Sequence, residues 1–205
     1  MHMRKRRQST RSAVRLELDP VTGLLGQARQ VPSPNCDDRP EGMVADLVVL
    51  HGISLPPGEF GGPWIDKLFT NRLSPDAHPF FAGISALQVS SHVLIRRDGE
   101  IVQYVPLQRR AWHAGESSWE GRPRCNDFSI GIELEGTDST PYESEQYTAA
   151  ARLIAELCHA YPALDAGRVV GHSDIAPGRK TDPGLAFDWP LLRALVRFEL
   201  EVGPA

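Results

Sequence analysis

Residues 129–135, Ser-Ile-Gly-Ile-Glu-Leu-Glu, read as a β-strand with two unlike faces. Side chains in a strand alternate, so Ile130, Ile132 and Leu134 share one face, and Gly131, Glu133 and Glu135 share the other. A carboxylate on a central strand is costly unless it faces a wet cleft or a partner. Glu133 therefore marks its face as a candidate site, with a general base as its functional reading. Glu135 points the same way, about 6.6 Å further along the strand. That pair is not a glycosidase pair, because such carboxylates flank a bond from opposite sides.

The neighbouring segments build outward from this strand. Leu47-Val48-Val49-Leu50 is a short apolar run, as in a strand covered on both faces, and it ends at His51. Residues 92–97 (HVLIRR) and 101–105 (IVQYV) flank Asp98-Gly99, a hairpin signal. Arg168 to Gly171 is a further short strand, ending at His172. Residues 144–161 carry Tyr147, Ala150, Ala151, Ile154, Leu157, Cys158 and Tyr161 at helical spacing, with Ser144 at the start and Pro162 as the stop. Trp64 to Phe69 reads as one or two helical turns, and Asp188 caps a terminal helix reaching about Val202. Residues 54–63 and 173–187, rich in Pro and Gly, read as loops. Strands and helices interleave, which predicts a single α/β domain with a central mixed sheet.

Composition agrees with one globular domain. The chain has 205 residues, 41% hydrophobic and 23% charged, which excludes collagen, coiled coil or disorder as a global description. No uncharged apolar stretch approaches the length of a membrane span. Residues 1–15 hold Arg4, Lys5, Arg6, Arg7, Arg11 and Arg15 and no acid, so they read as a basic disordered tail ahead of a domain over residues 16–205. No apolar segment of the signal-peptide kind follows Arg7. The rest of the chain carries 16 basic and 26 acidic groups, a poor nucleic-acid surface. Cys36, Cys125 and Cys158 have unrelated spacings and suggest no disulfide framework, which fits a reducing compartment.

His51, His172 and Asp182 sit at expected strand ends or in the loop after one. Two imidazoles and a carboxylate suit a divalent metal, most simply zinc with an open fourth position. By residue type alone, a histidine is more often a hydrogen-bonded or exposed side chain than a ligand. Lys180, one of three lysines in the chain, lies two residues before Asp182. Near a metal it would hold charge developing on a carbonyl oxygen; away from one it is a solvated loop lysine. His92 and His113, the latter in the run WHAG with Trp112, are candidates to line a cleft; for His92 a structural hydrogen bond serves at least as well. No GxSxG, P-loop or CxxC motif occurs.

The runs HGISLPPGEFGGPWID (51–66), SSHVLIRRDGEIVQYVP (90–106), RAWHAGESSWEGRPRCNDFSIGIELEGTD (110–138) and GHSDIAPGRKTDPGLAFDW (171–189) resemble zinc-dependent N-acetylmuramoyl-L-alanine amidases. Within that family the similarity is greatest to the cytoplasmic AmpD type, which acts on 1,6-anhydro-N-acetylmuramyl-L-alanine in cell-wall recycling. The resemblance implies one zinc per chain on His51, His172 and Asp182, with Glu133 as proton acceptor and Lys180 as transition-state stabiliser. It matches Arg124 to an arginine that binds the stem peptide; Trp112 and His113, as cleft candidates, join it as expected substrate contacts. It also implies helices flanking the mixed sheet, a groove over the zinc as in peptidoglycan recognition proteins, and a muropeptide substrate in the cytoplasm. A non-catalytic binding module would share the groove but commonly lacks a zinc ligand, and all three are present here. The chain departs from the family's usual residues at Gly52, where Asn is frequent, and at Ser173, where Cys is frequent; the basic stretch 1–15 is absent from compact members.

Overall fold

The strand expected at 129–135 lies in the middle of the molecule. The computed structural model describes residues 16–203, so the expected basic tail lies outside the described residues. In chain order the strands are β1 (Arg29–Gln30), β2 (Cys36–Asp37), β3 (Leu47–Ile53), β4 (Val93–Ile95), β5 (Ile101–Gln103), β6 (Arg110–Ala111), β7 (Ser118–Trp119), β8 (Arg122–Pro123), β9 (Ser129–Glu135) and β10 (Val169–Gly171). The α-helices are α1 (Trp64–Phe69), α2 (Ser144–Ala160), α3 (His172–Ile175) and α4 (Trp189–Val202). Six strands form one sheet in the order β1-β5-β4-β9-β3-β10; β2 with β6 and β7 with β8 form small two-stranded sheets. Only β4 and β5 pair antiparallel within the large sheet. They are joined through the Asp98-Gly99 turn, where Gly99 takes a positive φ of 83° that favours glycine. The sheet is therefore mixed, as expected.

The register sorts side chains onto two faces. Val48, Leu50, Val93, Ile95, Ile130, Ile132 and Leu134 pack against the inner sides of α2 and α4. Each such fully buried aliphatic side chain contributes roughly 1.5–3 kcal/mol. On the other face two smaller apolar clusters form. Leu47, Val49 and Val170 join Phe128 and Ile175, while Leu94 and Val102 join Phe69, Phe81 and Tyr104. Between them runs β9 with Ser129, Gly131, Glu133 and Glu135. Among the described residues the two long helices, α2 and α4, pack on the opposite face from this strip.

Two local expectations are corrected. Glu143, not Ser144, stands at the N-cap of α2, and its backbone N–H donates to Gln146 Oε1 at 3.0 Å. Gln146 also donates to the carbonyls of Ile95 and Glu135 at 3.2 and 3.1 Å, tying the helix start to β4 and β9. The segment after β10, expected as loop, begins with the short helix α3, entered where Gly171 N–H donates to Asp174 Oδ2 at 2.7 Å.

Candidate active site

Parallel pairing sets His51 of β3 directly beside Glu133 of β9, with Leu94 of β4 on the other side of Glu133. Gly171 of β10 pairs with Leu50, so His172, the first residue of α3, emerges next to His51. Ser173 N–H donates to the Asp182 carbonyl at 3.0 Å, drawing the returning loop against α3. The Tyr142 hydroxyl donates to the Pro183 carbonyl at 3.0 Å and holds the same loop from the other side. Three distant segments thus bring His51, His172 and Asp182 together.

The donor atoms form a tight triangle. His51 Nδ1 lies 2.9 Å from His172 Nδ1, and Asp182 Oδ2 lies 3.3 and 3.1 Å from these two nitrogens. Both histidines are buried and Asp182 is partly so. Three electron-pair donors this close repel one another unless a cation sits among them. Zinc ligands at their usual bond lengths and tetrahedral angles stand about 3.3–3.6 Å apart. Two imidazoles and one carboxylate, in a nearly matching triangle, fit a zinc ion.

Electrostatics follow the burial. Burial pushes the His51 imidazole down to about 4, opposed by Asp182 and helped by the His172 ring. Burial would raise the Asp182 carboxyl, but the two imidazoles outweigh it and hold it well below the ordinary carboxylate range. Burial, and then the Asp182 charge, push Glu133 well above its ordinary value, while Lys180 pulls it back. Glu133 is only 8% exposed, and no hydrogen bond among the described residues holds its carboxylate. Glu135 is unlike it. Gly61 N–H donates to Glu135 at 2.6 Å and Arg96 pairs with it at 3.4 Å, which makes it a satisfied structural carboxylate.

Lys180 is exposed on the loop after α3, and its charge reaches both Glu133 and His51. The other sequence candidates are placed differently. His113 lies behind His51, with Nδ1 2.9 Å from His51 Nε2 and Nε2 3.1 Å from Ser129 Oγ, so no ring nitrogen remains for substrate. The Trp112 indole N–H donates to Asp37 Oδ1 at 3.1 Å, in the ion-pair cluster of Asp37 with Arg110. Arg124 has a 69% exposed side chain, paired with Asp127 at 3.2 Å. His92 is a buried structural histidine: Nδ1 accepts from Gly131 N–H at 3.0 Å, and Nε2 donates to the Arg109 carbonyl at 2.9 Å. At Gly52 an added Cβ would lie 2.5 Å from the Tyr142 hydroxyl, so the glycine makes room for that ring. β3 stays paired with β9 past Gly52, through Ile53 and Glu135, so the ligand strand is not loosened there. Sequence reasoning missed Asn126 and Ser129, whose partners lie 12 to 16 residues away in the chain.

A buried His-His-Asp group that could hold a metal ion thus lies beside a glutamate with no hydrogen-bond partner among the described residues, as in a hydrolase site. The N-acetylmuramoyl-L-alanine amidase family matches residues 41–185, and the chain belongs to that family. It is 63% identical over 177 residues to the 1,6-anhydro-N-acetylmuramyl-L-alanine amidase AmpD of Salmonella typhimurium strain SL1344, covering 86% of this chain and 94% of that one. The crystal structure of a selenomethionine AmpD derivative superposes with a TM-score of 0.85 at 61% identity, over 88% of this chain and 99% of that one. The Escherichia coli amidase AmiD, solved with anhydro-N-acetylmuramic acid-L-Ala-D-γ-Glu-L-Lys, matches at 32% identity and a TM-score of 0.55, over 77% of this chain and 60% of that one.

Proposed function

We propose that this chain is a zinc-dependent amidase of peptidoglycan recycling. Its substrate is 1,6-anhydro-N-acetylmuramic acid carrying a stem peptide, and the bond hydrolysed joins the lactyl group to L-alanine. The observation that carries this reading is the His51, His172 and Asp182 triangle beside Glu133, in a chain so similar to amidases of that name.

An amide resists water, so the site must supply a nucleophile and stabilise an oxyanion. His51, His172 and Asp182 would hold the zinc, which would supply Lewis acidity to water and to the amide carbonyl. Glu133 accepts the proton of the attacking water and passes it to the departing L-alanine nitrogen. Its burial makes the carboxylate a willing acceptor, and the absence of a fixed hydrogen-bond partner leaves its oxygens free for that exchange. Lys180 supplies a positive charge to the oxygen that becomes anionic. Asp182 would bring negative charge into that ligand set, which gives a general base more to do. Arg124, with its largely exposed side chain, is assigned to the stem peptide.

The cytoplasm is the proposed compartment. Cys36, Cys125 and Cys158 form no disulfide, as in a reducing environment, and no helix among the described residues is long and apolar enough to cross a membrane. The test is mass spectrometry of the purified protein incubated with anhydro-muropeptide and, separately, with its reducing-end counterpart. Release of the free peptide and anhydro-N-acetylmuramic acid is the expected result. Binding of intact muropeptide with no cleavage would replace the enzyme with a recognition module.

A further inference from the structure

One dipeptide reaches behind both histidines of the triangle. His113 Nδ1 lies 2.9 Å from His51 Nε2, and the Ala114 carbonyl oxygen lies 3.2 Å from His172 Nε2. Asn126 Oδ1 accepts from both backbone N–H groups of this dipeptide, at 3.1 and 2.8 Å.

The acceptors along this chain dictate where the protons are. The Cys125 carbonyl only accepts, so the Ser129 hydroxyl 2.6 Å away donates to it. The Ser129 oxygen then accepts from His113 Nε2 at 3.1 Å. His113 therefore presents a lone pair at Nδ1, and His51 donates to it from Nε2. This leaves His51 Nδ1 without a proton, turned towards His172 Nδ1 and Asp182. By a separate path, the Ala114 carbonyl draws the His172 proton to Nε2 and leaves that Nδ1 facing the triangle as well.

Gly131 provides an independent sign of the same arrangement. A Cβ at this position would stand 2.5 Å from Cγ of the His113 ring. β9 thus omits a side chain between Ser129 and Glu133, and the space seats the ring that contacts His51.

We infer that the His113–Ala114 dipeptide, with Ser129, is a positioning device that holds both ligand histidines in the Nε2–H tautomer and aims their Nδ1 lone pairs at the zinc. This rests on the zinc reading of the triangle. His113 is a positioning residue and touches no reacting atom. Without it, His51 is free to adopt the Nδ1–H tautomer, which turns a proton towards the metal; partners of this kind typically change metal affinity by about 10–100-fold.

The test measures zinc affinity of the full chain by competition with a chromophoric chelator, with thermal unfolding of each metal-free variant as the check on folding. His113→Phe fills the space but cannot accept a proton, and is expected to weaken zinc by about 10–100-fold. His113→Gln offers an oxygen to His51 and an N–H to Ser129, and is expected to recover most of that loss. Ser129→Ala and Gly131→Ala, which free or displace the His113 ring, are expected to weaken zinc by a smaller factor. Folded His113→Phe with wild-type affinity, or His113→Gln no better than His113→Phe, overturns the inference alone. If His113→Phe does not fold, wild-type affinity in Ser129→Ala overturns it. A wild-type chain that takes up no zinc overturns the zinc reading and this inference with it.

Discussion

Ile132 and Glu133 are neighbours in β9, both largely shielded from solvent, yet their surroundings are opposite. Ile132 packs among the side chains of α2 and α4, where shape and apolar area are what matter. Glu133 faces a strip with no long helix over it, beside His51, and is held by no hydrogen bond among the described residues. The helix-covered face contributes stability, while the open face carries groups that a stable core would exclude. One strand does both because its side chains alternate. Changes on one face should therefore leave the other's property standing.

The largest effect is expected from His172→Ala. It leaves two donors in the triangle, and the purified variant should lose both its zinc and its muropeptide hydrolysis. Metal analysis alongside turnover checks this, and a fully active variant would erase the distinction between the faces. Glu133→Gln should keep zinc and lower turnover by about 10²–10⁴-fold, the range for a lost general base. A variant that loses metal together with activity would make Glu133 a ligand instead.

Lys180→Ala should lower kcat by about 10²–10³-fold with little change in KM, because the charge it meets exists only near the transition state. Lys180→Arg should recover little, since the planar guanidinium is directed differently. A raised KM with a normal kcat would assign Lys180 to substrate attraction.

On the opposite face, Ile132→Ala should cost about 2–5 kcal/mol of stability while kcat at a permissive temperature stays near wild type. Chemical denaturation and kinetics on the same preparation separate the two properties.

The smallest effect concerns His92, buried beneath the open face. Burial, then the nearby Arg39 charge, lower its imidazole to about 3 from an ordinary 6.5. Its folded value lies below its unfolded one, so its stability contribution is complete above about 6.5 and is lost as pH falls towards about 3. Within that window the slope from this one group is at most about 1.4 kcal/mol per pH unit. Stability of His92→Gln should fall less steeply over that range than wild type; parallel profiles would contradict the neutral buried imidazole.

What was legible in the sequence follows the same division. The alternation of Ile130, Ile132 and Leu134 against Gly131, Glu133 and Glu135 is written in consecutive residues, so β9 and both its faces could be read directly. His51 and His172 each follow an apolar run, His51 within β3 and His172 just after β10, and the two strands pair in parallel so that the histidines meet. Asp182 depends on a loop whose return is fixed by hydrogen bonds to Ser173 and Tyr142, and no local pattern announces these. The four-residue helix α3 is too short to show a periodicity. At the start of α2 the sequence offers Ser144, a common capping residue type, whereas Glu143 takes the N-cap. In the sequence His113 reads as a cleft candidate from the run WHAG that it shares with Trp112. Its partners, His51 and Ser129, come from other strands, and Gly131 shows its significance only once β9 is seen beneath the imidazole ring.

The most direct test of the central claim, that the open face of the sheet is a zinc-dependent amidase site, is a zinc titration of the metal-stripped chain. Hydrolysis of anhydro-muropeptide is followed as the metal is restored. Turnover should be absent without zinc, rise linearly, and level off at about one zinc per chain, as a single three-residue site requires. Full turnover by the metal-free chain would contradict the account.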